Sequence, residues 1–324
     1  MNPTIAVSIA NYLDSVILAR SESTARTYRN ALKVFTNILE QHGHESDKAS
    51  IKNLTEDAIV WLTSGLKEYA PATERLYLSA VTGFYEYLAA EQLAEINLPR
   101  LRLLIRQRAR RPGQRLPQFP RESIEKVLDY AVNLFTRPAE SEMESFRNMR
   151  DRAFLLTLAD TGMRVHEACS LRRGDIDWHE GRAIIIGKGD RQAVVRFSSR
   201  SLAAVKDYLK LRASQDGKSG RALSSLPLFS RHDRGAGKKT KPITTTTGRN
   251  IVSQRVQECL GKKSAGSITP HSFRHYFVTT VLRGSGGNLK LAQELARHKN
   301  IAVTQRYAHL ADDELDRGYH EIFD

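Results

Sequence analysis

Five side chains in one stretch of this chain are suited to work on a phosphodiester. They are His271, Arg274 and His275 of the run His271-Ser272-Phe273-Arg274-His275, then His298, then Tyr307. A further arginine stands far upstream in Thr161-Gly162-Met163-Arg164-Val165-His166-Glu167. The planar fork of a guanidinium matches phosphate oxygens, and an imidazole exchanges protons near neutral pH. A phenol oxygen can form a covalent intermediate. Holding a phosphodiester and attacking it is the chemistry this set serves best.

Local spacing supports part of that reading. Thr269-Pro270 is a helix start, threonine as cap and proline at the first helical position. His271 and Arg274, three apart, then share a face near a helix N-terminus, where free N–H groups favour an anion. Arg164 and Glu167 are also three apart. A carboxylate beside an arginine can fix the guanidinium in a cleft, but the same spacing also makes an ordinary exposed ion pair. Lys188 lies in Gly187-Lys188-Gly189-Asp190, a hairpin turn, from which an ammonium could donate a proton or simply be solvated. Among eleven tyrosines, Tyr319 is the chief rival to Tyr307. Leu315, Tyr319, Ile322 and Phe323 form an apolar helical stripe, which favours packing for Tyr319.

These groups need elements to carry them. Apolar spacing predicts helices over 5–18, from Ser21 or Ser23 to Gly43, from Thr55 through Leu66, and from Pro71 through Leu88, a bundle of four or five. Residues 100–119 then carry Arg100, Arg102, Arg106, Arg108, Arg110, Arg111 and Arg115 without an acid, broken by Pro112-Gly113 and Pro117. This reads as a basic linker, 107–120, lying along phosphates, with Arg106, Arg108, Arg110 and Arg111 as candidate DNA contacts. A second unit, 121–324, is expected to hold helices over 123–135 and 147–158, ended by Gly162, and a new helix around Arg164. Strands follow at 183–186 and 192–197 and a helix at 202–211. A long polar loop is expected over 214–248, then helices at 249–260, 270–282, 288–296 and 301–308. The expected fold is mainly α with a small antiparallel β-sheet: a helical domain over 1–106 and a mixed α/β domain.

Composition narrows the partners. The chain has 324 residues, a hydrophobic fraction of 40% and a net charge of +14, enough for real cores and strongly basic. Such a balance points to a polyanion, usually nucleic acid; an anionic membrane surface is the other option, but no stretch is long enough to span a bilayer. Cys169 and Cys259 are far apart with no metal-ligand spacing, so reduced thiols and a cytoplasmic location are expected, and the N-terminus does not read as a signal peptide. No acidic cluster reads as a metal site and no Gly-rich phosphate loop as an ATP site, so neither metal nor cofactor is expected.

Thr-Gly-Met-Arg-x-x-Glu, Gly-Lys-Gly, His-x-x-Arg-His and His-(eight residues)-Tyr, in this order, resemble the tyrosine recombinase (phage integrase) family, in its simple two-domain form. The resemblance covers the whole chain and implies a helical core-binding domain followed by a catalytic domain. It implies Arg164 and Arg274 as phosphate-clamping arginines, Lys188 and His271 as proton-transfer residues, His298 as a phosphate hydrogen-bonder, Tyr307 as nucleophile and Glu167 as acidic support. The family usually has glycine where this chain has Arg297, which puts the local backbone geometry in question and adds a candidate DNA contact. The activity implied is site-specific recombination of double-stranded DNA through a 3′-phosphotyrosine, in a prokaryote-like, nucleoid-associated setting. The apolar tail 310–323 is expected to dock on a neighbouring protomer, giving a tetramer on paired sites, with docking in cis on its own domain as the alternative; any accessory protein is unknown. A type IB topoisomerase-like relaxing enzyme shares the chemistry, and a non-catalytic DNA-binding regulator shares the charge.

Overall fold

Side-chain caps set where the first helices begin. Thr4 Oγ1 accepts from the Val7 N–H (3.3 Å) to open α1 (Ile5–Ala19), and Ser21 Oγ accepts from the Thr24 N–H (3.3 Å) to open α2 (Glu22–Gln41). Each cap satisfies a donor that has no partner within the helix. α3 (Ala58–Gly65) follows, and Pro71 stands at the start of α4 (Pro71–Ala90). The computed structural model describes residues 2–110, 120–187, 191–233, 235, 240–264, 266–307, 320 and 322–323. The chain divides into two compact units, Met1–Arg115 and Leu116–Asp324.

In the first unit the apolar faces of the helices close around Phe35, Leu39, Ile59, Leu62, Phe84 and Leu88, all fully buried. The arginine-rich stretch departs from expectation here. Residues 98–108, where no helix was expected, form α5 (Leu98–Arg108), which runs two residues into the expected linker and is capped by Asn97, whose Oδ1 accepts from the Arg100 N–H (3.0 Å). Leu101 is fully buried, and Leu104 and Ile105 pack on the same core. One apolar stripe is enough to dock the helix, and the arginines take the opposite side. Arg100 pairs with Glu56 (3.0 Å) and Arg102 with Glu86 (2.8 Å).

The second unit is built around α7 (Glu142–Thr161), which starts five residues before the expected Arg147 because Ser141 caps it by accepting from the Glu144 N–H (3.2 Å). From Ala153 to Ala159 every residue is buried, as in a helix covered all round. α6 (Arg121–Val132) packs against it, and α8 (Val165–Ser170) follows it. The sheet has three strands, β1 (Ile176–Asp177), β2 (Arg182–Gly187) and β3 (Arg191–Arg196), antiparallel in that order. β1 escaped the sequence because two residues show no alternation. β2 and β3 do alternate: Ala183 and Ile185 are buried while Ile184 faces out at 55% exposure.

α9 (Ser199–Leu211) lies along α7, and α10 (Ala213–Gly217) turns part of the expected loop into helix. Arg212, between the two, is fully buried and anchored to Asp216 (3.0 Å), which fixes a segment that looks merely polar in sequence. α11 (Thr245–Leu260) starts at the Thr244 cap and approaches α8 at Gly248, where a Cβ would stand 2.9 Å from Cys169 Sγ. α12 (Pro270–Gly284), α13 (Leu289–Ala296) and the short α14 (Ile301–Gln305) complete the described chain, with Val278, Leu282, Ala292, Ala296 and Tyr307 in a small core of their own. Most of the tail 310–323 and Tyr319 lie outside the described residues. Among the described residues, no helix is long and apolar enough to cross a membrane.

Candidate active site

Gly162 ends α7 with φ 58°, and a Cβ there would stand 2.3 Å from the ring of Phe277 on α12. Glycine therefore answers both the left-handed backbone and the close approach of α12. The turn aims the Gly162 carbonyl at α12, where it accepts a hydrogen bond from Arg274 Nη1. It also carries the chain into Arg164, the cap of α8.

Glu167, on the first turn of α8, is buried. Its Oε1 accepts from Arg164 Nη1 (2.9 Å) and its Oε2 from the Arg164 N–H (2.8 Å). Burial alone would raise this carboxyl, but the Arg164 N–H and the charges of Arg297 and Arg164 outweigh it and hold it below the usual range. The spacing left two readings for this pair. The geometry selects the oriented one at the carboxylate and leaves the Arg164 side chain 46% exposed toward a cleft of about 470 Å³. Arg249, Asn250, Thr269, His271 and Arg274 line the same cleft.

α12 supplies the opposite wall. Thr269 and Ser272 brace its start, with the Thr269 N–H donating to Ser272 Oγ (3.1 Å). Arg274 is 3% exposed and its second terminal nitrogen donates to the Ala296 carbonyl, so two backbone oxygens from different elements fix its fork. Burial, then the neighbouring charges of Arg164 and Arg297, push it down to about 10, still a cation at neutral pH. Glu167 offsets part of this positive charge.

Tyr307 is 4% exposed, and its hydroxyl hydrogen-bonds His275 Nδ1. Burial raises the phenol's pKa, against the lowering pull of Arg274. His275 is pushed down to about 4 by burial, His271 and Arg274. Both are neutral at pH 7; the phenol donates to Nδ1 in the tautomer that keeps the imidazole proton on Nε2, and accepts from Nδ1 in the other. His271 meets the His275 ring edge-on at 4.2 Å between centroids. His298 stacks on Tyr307 at 6.3 Å and 17°, its Nδ1 paired with Thr304 Oγ1 (2.9 Å). Burial and the charges of Arg274, Arg164 and Arg297 hold it at about 4.

Five of the six expected catalytic side chains thus gather from three separate stretches of chain: Arg164; His271 and Arg274; His298 and Tyr307. Lys188 falls outside the described residues; the strands bracketing it pair Gly187 with Arg191. His275 was part of the quoted motif but was given no role. Its position one residue after Arg274 carries no signal for contact with a tyrosine thirty-two residues on.

The expected DNA arginines separate. Arg106 is exposed beside a groove of about 760 Å³ shared with Arg20, Tyr28 and Arg75, and Arg108 is exposed. Arg110 is committed instead to Glu74 and the carbonyls of Leu66 and Tyr69, because Glu74 is fully buried and needs a cation. Arg111 lies outside the described residues. Arg297 is not a surface contact: its side chain is 12% exposed and Nη2 donates to Glu167 Oε2 (3.0 Å).

A model of the phage integrase family matches residues 129–314, and one of the phage integrase N-terminal SAM-like domain matches residues 9–92. Tyrosine recombinase XerC of Bacillus subtilis is 30% identical over 302 residues, 92% of this chain and 90% of that protein. XerC of Bacillus pumilus is 32% identical over 306 residues, with 92% and 90% covered. Among solved structures, the Tn1549 transposon integrase in complex with transposon right end DNA matches at TM-score 0.65 and 18% identity, over 99% of both chains. XerH recombinase bound to palindromic difH substrate matches at 0.64 and 16%, over 96% of this chain and 94% of that one. At these identities the two structures speak for the fold.

Proposed function

The chain belongs to the phage integrase family of tyrosine recombinases, and from that premise we propose that Tyr307 is the nucleophile of a site-specific recombinase that cuts and rejoins double-stranded DNA. The observation that carries this is the Tyr307 hydroxyl hydrogen-bonded to α12, the helix that also bears Arg274 and His271 beside the Arg164 cleft.

Arg164 and Arg274 take the nonbridging oxygens of the scissile phosphate and offset the second negative charge that builds as the phosphorus becomes five-coordinate. Removing one preorganised donor of this kind costs about 10²–10³ in rate. His298 adds a donor: with the Thr304 hydroxyl donating to Nδ1, its Nε2 carries the proton that faces a phosphate oxygen. The bound phosphate raises the depressed pKa of His275, which aims the phenol and takes its proton; His271 is the next acceptor at the rim. The phenolate oxygen bonds to phosphorus, the bond to the 5′ oxygen breaks, and Lys188 supplies the proton that oxygen needs. The 3′-phosphotyrosine keeps the bond energy, so the 5′ hydroxyl of a second DNA reverses the step and completes the exchange.

Basic charge and the exposed Arg106 and Arg108 support DNA binding by the helical domain, 1–106, and by the linker 107–120 that joins it to the catalytic domain, 121–324. Assembly as a tetramer on paired sites through the tail 310–323 is part of the proposal. Integration, excision and the resolution of dimers or cointegrates all use this exchange.

A nicked suicide duplex carrying the recombination site tests the reading. The chain is expected to form a covalent protein–DNA adduct and Tyr307→Phe none; an adduct that survives in Tyr307→Phe assigns the nucleophile elsewhere. Strand exchange between two labelled sites, rather than relaxation alone, separates recombination from topoisomerase-like activity.

A further inference from the structure

α13 ends in the geometry of a left-handed cap: the His298 N–H reaches back to the Gln293 carbonyl (3.0 Å), and the residue between helix and histidine has φ 58° and ψ 43°. That residue is Arg297. A side chain there costs about 1 kcal/mol relative to glycine, and burying a guanidinium costs more unless it is paired. The guanidinium finds its charged partner at a single point. Arg297 Nη2 donates to Glu167 Oε2 at 3.0 Å and lies 3.5 Å from the Gly162 carbonyl, the same oxygen that holds Arg274. Glu167 thus has both carboxylate oxygens occupied, one by the Arg164 side chain and one shared by the Arg164 N–H and Arg297.

Charge counting gives the arrangement its meaning. Without Arg297, Glu167 cancels one of the two guanidiniums that face the phosphate. With it, three guanidiniums stand against one carboxylate among the described residues, a surplus of two positive charges, which matches the two negative charges of a five-coordinate phosphorane.

Resting on the recombinase reading, we propose that Arg297 is a positioning residue for DNA cleavage: from its left-handed seat it pins the carboxylate that orients Arg164 and offsets that carboxylate's charge. It acts through Glu167, without touching the substrate, and so speeds the chemical step more than it strengthens DNA binding.

The test is single-turnover cleavage of the suicide duplex by the full chain, with DNA affinity and thermal melting measured in parallel. Arg297→Gly, which relieves the backbone, is expected to slow adduct formation by on the order of 10–100-fold, as displacement of a reacting group does, while the gel-shift affinity stays within about twofold. Arg297→Lys, whose ammonium still reaches Glu167, is expected to recover most of the rate. In a Glu167→Gln background the Arg297→Gly effect is expected to shrink to about twofold, since the two changes are coupled. A folded Arg297→Gly variant that cleaves at the unmodified rate overturns the inference. So does an equal rate loss in both backgrounds, or one wholly explained by weaker DNA binding. Wild-type chain that forms no adduct at all sinks the recombinase reading itself, a distinct result from an adduct that is indifferent to residue 297.

Discussion

The two ends of α7 hold two arginine clusters built to opposite specifications. Toward its start, Arg150 and Arg255 grip Asp151 at 2.8 and 2.9 Å, and Arg255 also reaches Glu258 (2.8 Å) and Asn148 (2.7 Å). Two guanidiniums meet two carboxylates, and Arg150, Asp151 and Arg255 are all buried. At its far end, Glu167 is the one carboxylate among the described residues set against Arg164, Arg274 and Arg297. The balanced cluster ties α7 to α11 and closes. The unbalanced one is held rigid by backbone carbonyls, which fix direction without cancelling charge, and Arg164 remains open to a cleft. The two arginine clusters differ in their counter-charge, not in their degree of order.

The comparison breaks most easily at Arg274. Its replacement by Ala is expected to slow adduct formation by on the order of 10³-fold, with DNA affinity falling far less, as read by quenched cleavage time courses and gel shift. An equal loss of affinity and rate would make Arg274 a binding group like any other.

Asp151→Asn probes the balanced end. It leaves Arg150 and Arg255 buried against a neutral partner, and the expected cost is about 3–4 kcal/mol of stability, measured by urea unfolding, with the cleavage rate per folded molecule kept. Loss of cleavage in a fully folded variant would erase the distinction between the two ends.

The smallest effect is in pH. His298 and His275 are held at about 4 by burial and the surplus charge, and His232, beside Arg150, at about 3 by burial and its arginine neighbours. All three are neutral in the folded chain at pH 7, whereas the unfolded chain takes up their protons near 6.5. The unfolded state therefore binds more protons below about 6.5, so stability falls as pH drops from there toward 4, and for His232 toward 3. Melting temperature against pH is expected to show this decline, and His298→Gln to flatten part of it. Added DNA supplies the missing anion and is expected to flatten the His298 and His275 share while leaving that of His232. An identical response at both ends would mean that the surplus charge is not what depresses the site histidines.

Much of this was legible from residue order. The helix start at Thr269-Pro270, the turn at Gly162 and the hairpin around Gly187 are set by local backbone preferences, and the sequence marks them directly. α5 is not marked in the sequence because its four arginines mask an apolar stripe of Leu101, Leu104 and Ile105 that is only three residues wide. β1 and α10 were missed because each is too short to show a period.

By itself the sequence determined the helical plan, the basic charge and the set of groups able to grip and attack a phosphodiester, since those follow from side-chain chemistry and short-range spacing. Only the tertiary structure decided which oxygens each guanidinium meets, that Tyr307 rests on His275, that Arg110 serves Glu74, and that Arg297 faces inward to Glu167. Those outcomes depend on through-space distances between residues up to 135 positions apart, where Coulomb energy and burial act and no local pattern reaches.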